Sequence, residues 1–198
     1  MIIINGGCFG QDAKEIDQLL LDNIKTDDFV LFVPAATPRS QEAYFRFFQK
    51  SMANYGLTNV DWIDLYGDWQ DKVKGAKAIY LAGGNTFKLI DIMRKSGFDK
   101  YLKEVKDVII YGNSAGAVVL GQNISTTNDE DIIGITDFTG LGMLPCCIGA
   151  HYTEDKKERL QELANKYHVK IIAVPEKGGM LFNSEEKRGG TIVEIMPE

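Results

Sequence analysis

The feature that most constrains this chain is its alternation of short, continuous apolar runs with longer segments whose apolar residues recur at helical spacing. Met1–Asn5, Phe29–Val33, Lys77–Leu81 and Val108–Tyr111 are runs of the first kind. Ala13–Ile24 is of the second, with Ile16, Leu19, Leu20 and Ile24 on one face. Helical stretches are expected again over Gln41–Tyr55, Thr86–Met93, Ala115–Leu120 and Glu154–Tyr167, with a further strand over Val60–Leu65. Strands that are apolar along their whole length are covered on both faces, and alternation with helices makes their connections crossovers. The expected fold is α/β and doubly wound, with a mostly parallel sheet and helices on both faces. Val169–Val174, Gly179–Phe182 and Thr191–Ile195 are expected to close it, the last two as a C-terminal hairpin joined through Asn183–Gly190. Gly121–Gly149, rich in Asn, Thr, Asp and Gly, has no period, and a stretch of that length is more often functional than idle.

Composition narrows the function. The 198 residues are 44% hydrophobic and 25% charged, which fits a single domain over 1–198 able to bury its own core. A net charge of −6 disfavours a phosphate backbone or an anionic membrane as partner. No run reaches the roughly 18 apolar residues of a membrane span, and the first residues lack the basic start of a signal peptide, so a cytoplasmic protein is expected. Three cysteines, two of them adjacent, read as reduced thiols.

The chemistry concentrates in Gly112-Asn113-Ser114-Ala115-Gly116, which sits between an expected strand and an expected helix. In that context G-x-S-x-G forms a nucleophile elbow, with the hydroxyl of Ser114 at the carboxyl edge of the sheet. A tight turn with a capping serine is the plainer alternative. A serine needs a base, and the chain has two histidines. His168 stands at a helix–strand junction and reads as surface. His151, after the irregular segment, has the loop position expected of a base. Two acids compete to orient it. Glu176 follows an apolar strand and should emerge at the edge that carries Ser114, which favours it; Asp129 lies in the irregular loop. Oxyanion donors are expected from the Ala115 N–H and from Gly83 and Gly84, with Asn85 or Thr86 capping the following helix.

These residues resemble the serine peptidases that include peptidase E and cyanophycinase. The resemblance rests on Gly83-Gly84-Asn85-Thr86-Phe87, Gly112-Asn113-Ser114-Ala115-Gly116-Ala117, Thr126-Thr127-Asn128-Asp129, His151-Tyr152-Thr153 and Pro175-Glu176, which occur in the family's order over about half the chain. It implies a fold like the class I glutamine amidotransferases, and Ser114 as nucleophile, His151 as base and Glu176 or Asp129 as acid. It implies no metal or organic cofactor, and a small peptide as substrate; a homodimer is left open. Asn85 and Thr127 are carried over as substrate-binding residues. Basic residues near the histidine motif serve such peptidases in recognising an N-terminal aspartate. Here Lys156, Lys157 and Arg159 stand on a charged helix, where solvated surface competes with a substrate role. Two other readings share the elbow: an esterase using Ser114, Asp129 and His151, and a catalytically silent binding module. A zinc site at Cys146, Cys147 and His151 fits the usual ligand spacing poorly.

Overall fold

A computed structural model describes residues 1–182 and 187–198. Strands β1 (Ile2–Asn5), β2 (Val30–Val33), β3 (Val60–Trp62), β4 (Ala78–Leu81) and β5 (Ile109–Asn113) run parallel in the order β3-β2-β4-β5-β1. Helices α1 (Lys14–Leu21), α2 (Gln41–Ala53), α3 (Thr86–Ser96), α4 (Phe98–Glu104) and α5 (Ala115–Leu120) connect them and cover both faces. Neighbouring residues of one strand serve opposite cores. Ile3, Phe32, Tyr80 and Tyr111 pack against Ile16 and Leu20 of α1 and Phe48 and Met52 of α2. Ile4, Leu31, Ile79 and Ile110 pack against Leu89, Ile90 and Met93 of α3 and against α5. The period-2 pleat divides the two sets, so a run apolar throughout fills both layers.

Beside this sheet lies a second one of three strands, in which β6 (Cys147–Gly149) runs parallel to β7 (Ile171–Ala173) and α6 (Lys157–Tyr167) connects them. β6 falls inside the stretch expected to be irregular. Its three residues are too few to show a period, and they are recognisable as strand only through pairing Ile148 with Ile172.

The closing hairpin forms, with a different second strand from the one expected. β8 (Gly179–Phe182) adds antiparallel to β1 and pairs with β9 (Lys187–Gly189); four residues of the connection, 183–186, lie outside the described residues. The expected partner Thr191–Ile195 instead supplies β10 (Val193–Ile195), which crosses to β7 in the second sheet. There Ile195 is buried with Leu160 and Ala164 of α6. The apolar face of β10 thus reaches a layer that the main sheet could not offer it. Helix α4, which the sequence reading passed over, buries Phe98 and Leu102 against Trp69 and begins where Gly97, at φ 75°, ends α3.

Candidate active site

Ser114 stands one residue beyond β5 at the carboxyl edge of the sheet, with φ 52° and ψ −114°, a conformation that costs a non-glycine residue energy. The surroundings hold it there. Its N–H donates to the Asn5 carbonyl (2.9 Å), and its own carbonyl accepts from Ala117 and Val118 in the first turn of α5. That helix lies so close to the sheet that a Cβ on Gly116 would stand 2.2 Å from the Leu81 carbonyl oxygen, so only glycine fits the last position of the motif.

The hydroxyl meets the imidazole directly: Ser114 Oγ lies 2.7 Å from His151 Nε2. The other ring nitrogen, Nδ1, is hydrogen-bonded to Glu176 Oε2. The second sheet explains the alignment. His151 follows β6 by two residues and Glu176 follows β7 by three, and the adjacent parallel strands carry both side chains to one edge. Val174 N–H donates to the Gly149 carbonyl and Tyr152 N–H to the Val174 carbonyl, which ties the two strand ends together. His151 and Glu176 side chains remain 41% and 56% exposed, so a bound substrate has to displace water from them.

Asp129 is not joined to the imidazole. Its Oδ2 accepts from Thr86 N–H (2.7 Å), Thr86 Oγ1 (2.6 Å) and Thr127 Oγ1 (3.0 Å). The carboxylate therefore clamps the N-terminus of α3 to the 126–129 loop, a favourable place for a negative charge. The structure does not bring Asp129, the alternative acid, to the imidazole. Thr127 is spent on the same clamp, and Asn85 caps α3 by accepting from Lys88 N–H (3.0 Å) while donating to the Glu130 carbonyl (2.8 Å).

Arg159 lies against the same loop. Its guanidinium donates to the carbonyls of Ser125 (2.8 Å) and Thr127 (2.7 Å), with longer contacts to Thr126 and Asn128, so it braces the loop from behind. Lys156 donates to the His151 carbonyl, and Lys157 pairs with Glu154.

Two lobes meet at Ser114 and share Thr37, Pro38, Gly84 and His151. One, of about 320 Å³, adds Gly7, Gly83 and Asn113, an aromatic wall of Phe9, Tyr44 and Phe47, and Arg39. The other, of about 530 Å³, adds Asn85, Lys88, Asp129 and Ile132. Gly83 backs the nucleophile, since a Cβ there would stand 3.2 Å from Ser114 Cβ. Ala115, with Ser114 and His151, lines a narrow recess on the Asp129 side.

Arg39 escaped the sequence reading. It follows β2 at the same carboxyl edge, in Pro34–Ser40, and that position was the available signal. Among the described residues neither Arg39 nor Lys88 has an ion-pair partner. Gly7 was also passed over. A Cβ on Gly7 would stand 2.1 Å from His151 Cε1, so the turn is the floor on which the ring rests.

A serine–imidazole–carboxylate line beside an open cleft is the arrangement of a hydrolase, and comparison with known proteins agrees. The model of peptidase family S51 matches residues 1–188. The chain belongs to that family. It is a serine peptidase, similar over 85% of its length to a peptidase E of Nostoc sp. (strain PCC 7120), with 30% identity and 73% of that protein covered. A Drosophila melanogaster protein named "Probable alpha-aspartyl dipeptidase" is 28% identical over 83% of this chain and 72% of its own. The fold also superposes on a solved structure from Listeria monocytogenes EGD-e, described as a candidate peptidase E. That match has a TM-score of 0.71 and 21% identity, and covers 100% of this chain and 98% of that one. The α/β fold is therefore that of a family S51 peptidase. Among the described residues no helix is long and apolar enough to cross a membrane.

Proposed function

We propose that this chain is a dipeptidase acting from the N-terminus of short peptides through an acyl-enzyme on Ser114, with a preference for an acidic first residue. The observation that carries the mechanism is the continuous line from Ser114 Oγ through the His151 ring to Glu176. Ser114 attacks the scissile carbonyl as His151 Nε2 takes its proton, and Glu176 stabilises the imidazolium that forms. The same imidazolium returns the proton to the leaving amine. Water then repeats the sequence on the acyl-enzyme and releases the first residue. Backbone N–H groups of Gly83, Gly84 and Ala115 are assigned to the oxyanion.

The two-lobed cleft supports the substrate class. A dipeptide laid across Ser114 places one residue in each lobe, and each lobe has a cation that, among the described residues, has no ion-pair partner, Arg39 in one and Lys88 in the other. A peptide with an acidic first residue has two carboxylates to match, one on the side chain and one at the C-terminus. We assign the side chain to Arg39, whose planar guanidinium can grip a carboxylate with two hydrogen bonds.

The test is a dipeptide panel with free and blocked N-termini. Ser114→Ala should lower kcat by about 10³-fold or more with the fold intact. Arg39→Gln should erase about tenfold or more of the preference for aspartyl over alanyl substrates while alanyl turnover persists. Near-full activity in Ser114→Ala would remove the nucleophile, and an unchanged preference in Arg39→Gln would remove the carboxylate assignment. The homodimer and the cytoplasmic location remain proposals, and sedimentation and cell fractionation test them.

A further inference from the structure

Beneath the catalytic line lies a chain of buried polar groups that the reaction steps do not use. Asn5, the last residue of β1, is fully buried. Its Nδ2 donates to the Tyr111 hydroxyl (2.9 Å) and to the Cys8 carbonyl (3.2 Å), and its Oδ1 accepts from Gly7 N–H (2.9 Å). The Tyr111 hydroxyl in turn donates to Asp17 Oδ1 (2.9 Å). Asp17 lies on the inner face of α1, 3% exposed, and the Tyr55 hydroxyl is its other partner. The Tyr111 ring is stacked on Tyr80 with centroids 4.3 Å apart, which fixes the direction of its hydroxyl.

The line has one sense throughout, from amide to phenol to carboxylate. Its upper end is the Gly6–Cys8 turn, and that turn touches two members of the catalytic line. The ring of His151 lies against Gly7, His151 N–H donates to the Gly6 carbonyl (3.1 Å), and Cys8 N–H donates to the Glu176 carbonyl (3.0 Å). Asn5 also reaches the third member, because its carbonyl accepts from Ser114 N–H. Asn113, one residue before the nucleophile, donates to the same Cys8 carbonyl (3.0 Å).

We infer that Asn5, Tyr111 and Asp17 are positioning residues for hydrolysis: a buried hydrogen-bonded line from α1 that fixes the Gly6–Cys8 turn and through it the imidazole between Ser114 and Glu176. None of the three touches substrate. Removing the phenol hydroxyl leaves the Asn5 Nδ2 with the Cys8 carbonyl as its remaining acceptor, frees the amide plane to rotate, and loosens the hold on Gly7 N–H. A displacement of about 1 Å in the reacting groups can cost on the order of 10²-fold in rate.

The inference rests on the Ser114–His151–Glu176 reading, so its test uses a probe that reports on that reading separately. A fluorophosphonate is attacked by Ser114 Oγ; the O–P bond forms, the P–F bond breaks with fluoride leaving, and His151 takes the serine proton. Labelling of the wild-type protein at Ser114 is the reference, and its absence would sink the nucleophile assignment itself. Tyr111→Phe keeps the stacked ring and loses only the hydroxyl. Its maximal labelling rate should fall about tenfold, with the half-saturating probe concentration unchanged and the protein still folded at the assay temperature. Asp17→Leu, which removes the terminal acceptor at similar volume, should show the same fall, and Asp17→Asn, which keeps an acceptor oxygen, a smaller one. Maximal rates within twofold of wild type in folded Tyr111→Phe overturn the inference. Should that variant melt below the assay temperature, the Asp17 pair decides, and equal rates for Leu and Asn overturn it.

Discussion

At the scale of single residues, the two candidate acids differ in what holds them. Glu176 has the imidazole as its partner, whereas Asp129 is saturated by two threonines and the start of α3. Glu176→Gln should therefore lower kcat/KM on the order of 10²- to 10⁴-fold with unchanged melting, because the amide keeps the shape and loses the charge that supports the imidazolium. Asp129→Asn should act in the opposite balance, lowering the melting temperature and costing activity less. A peptidase assay and a melting curve on each variant check this, and a larger activity loss in Asp129→Asn reverses the assignment. Placing Glu176 at a strand end made it the favoured acid from sequence, because a rigid element fixes where its next residues point. Asn5 and Asp17 gave weaker signals. An asparagine ending a β-branched run and an aspartate beside Ile16 on an otherwise apolar helix face are informative only once Tyr111, 94 residues beyond Asp17, is known to lie between them.

At the scale of elements, the α6 helix and the 125–128 loop act as one unit through Arg159. The loop leads into Asp129, and hence to the start of α3; Thr126 and Asn128 donate to the Ile148 and Ala150 carbonyls, and the guanidinium supplies donors to the carbonyls of Ser125 and Thr127. Arg159→Ala should lower stability by about 1–3 kcal/mol, in the range for removing hydrogen bonds from a charged donor, and leave the ratio of aspartyl to alanyl turnover unaltered. Denaturant unfolding and the dipeptide panel measure the two. Collapse of that ratio would return Arg159 to the substrate. The role was invisible in sequence because a cation on an amphipathic helix looks alike whether it faces water or a loop that folds back from 30 residues upstream. The elements themselves were more legible. β1, β2, β4 and β5 showed in their apolar runs, since each fills two core layers. β6 and β9, three residues each, did not, because their assignment depends on register with a distant strand and not on local pattern.

At the scale of the whole molecule, the buried line under the site has a thermodynamic cost that every folded chain carries. Burial pushes the Asp17 carboxyl up from its ordinary value of 3.8 to about 6, against the hydrogen bonds from Tyr111 and Tyr55, which favour the ion. The native state then holds a proton that the unfolded chain has released throughout the window between about 4 and 6. Stability falls as the pH rises through that window and stays low above it. The shift corresponds to on the order of 3 kcal/mol at neutral pH. Asp17→Asn removes the ion while keeping an oxygen for Tyr111 and gaining an N–H for Tyr55. It should raise the melting temperature by several degrees at pH 8, given about 2–4 °C per kcal/mol for a chain of this size, and by little at pH 4, where the wild-type carboxyl is already neutral. The comparison of the two proteins at both pH values isolates this group, because every other titrating residue is common to them. A gain independent of pH would mean that Asp17 releases its proton at the same pH in the native and unfolded chains, so that burial does not hold it. A loss at both values would mean that the carboxylate holds α1 to the sheet more strongly than its burial opposes it.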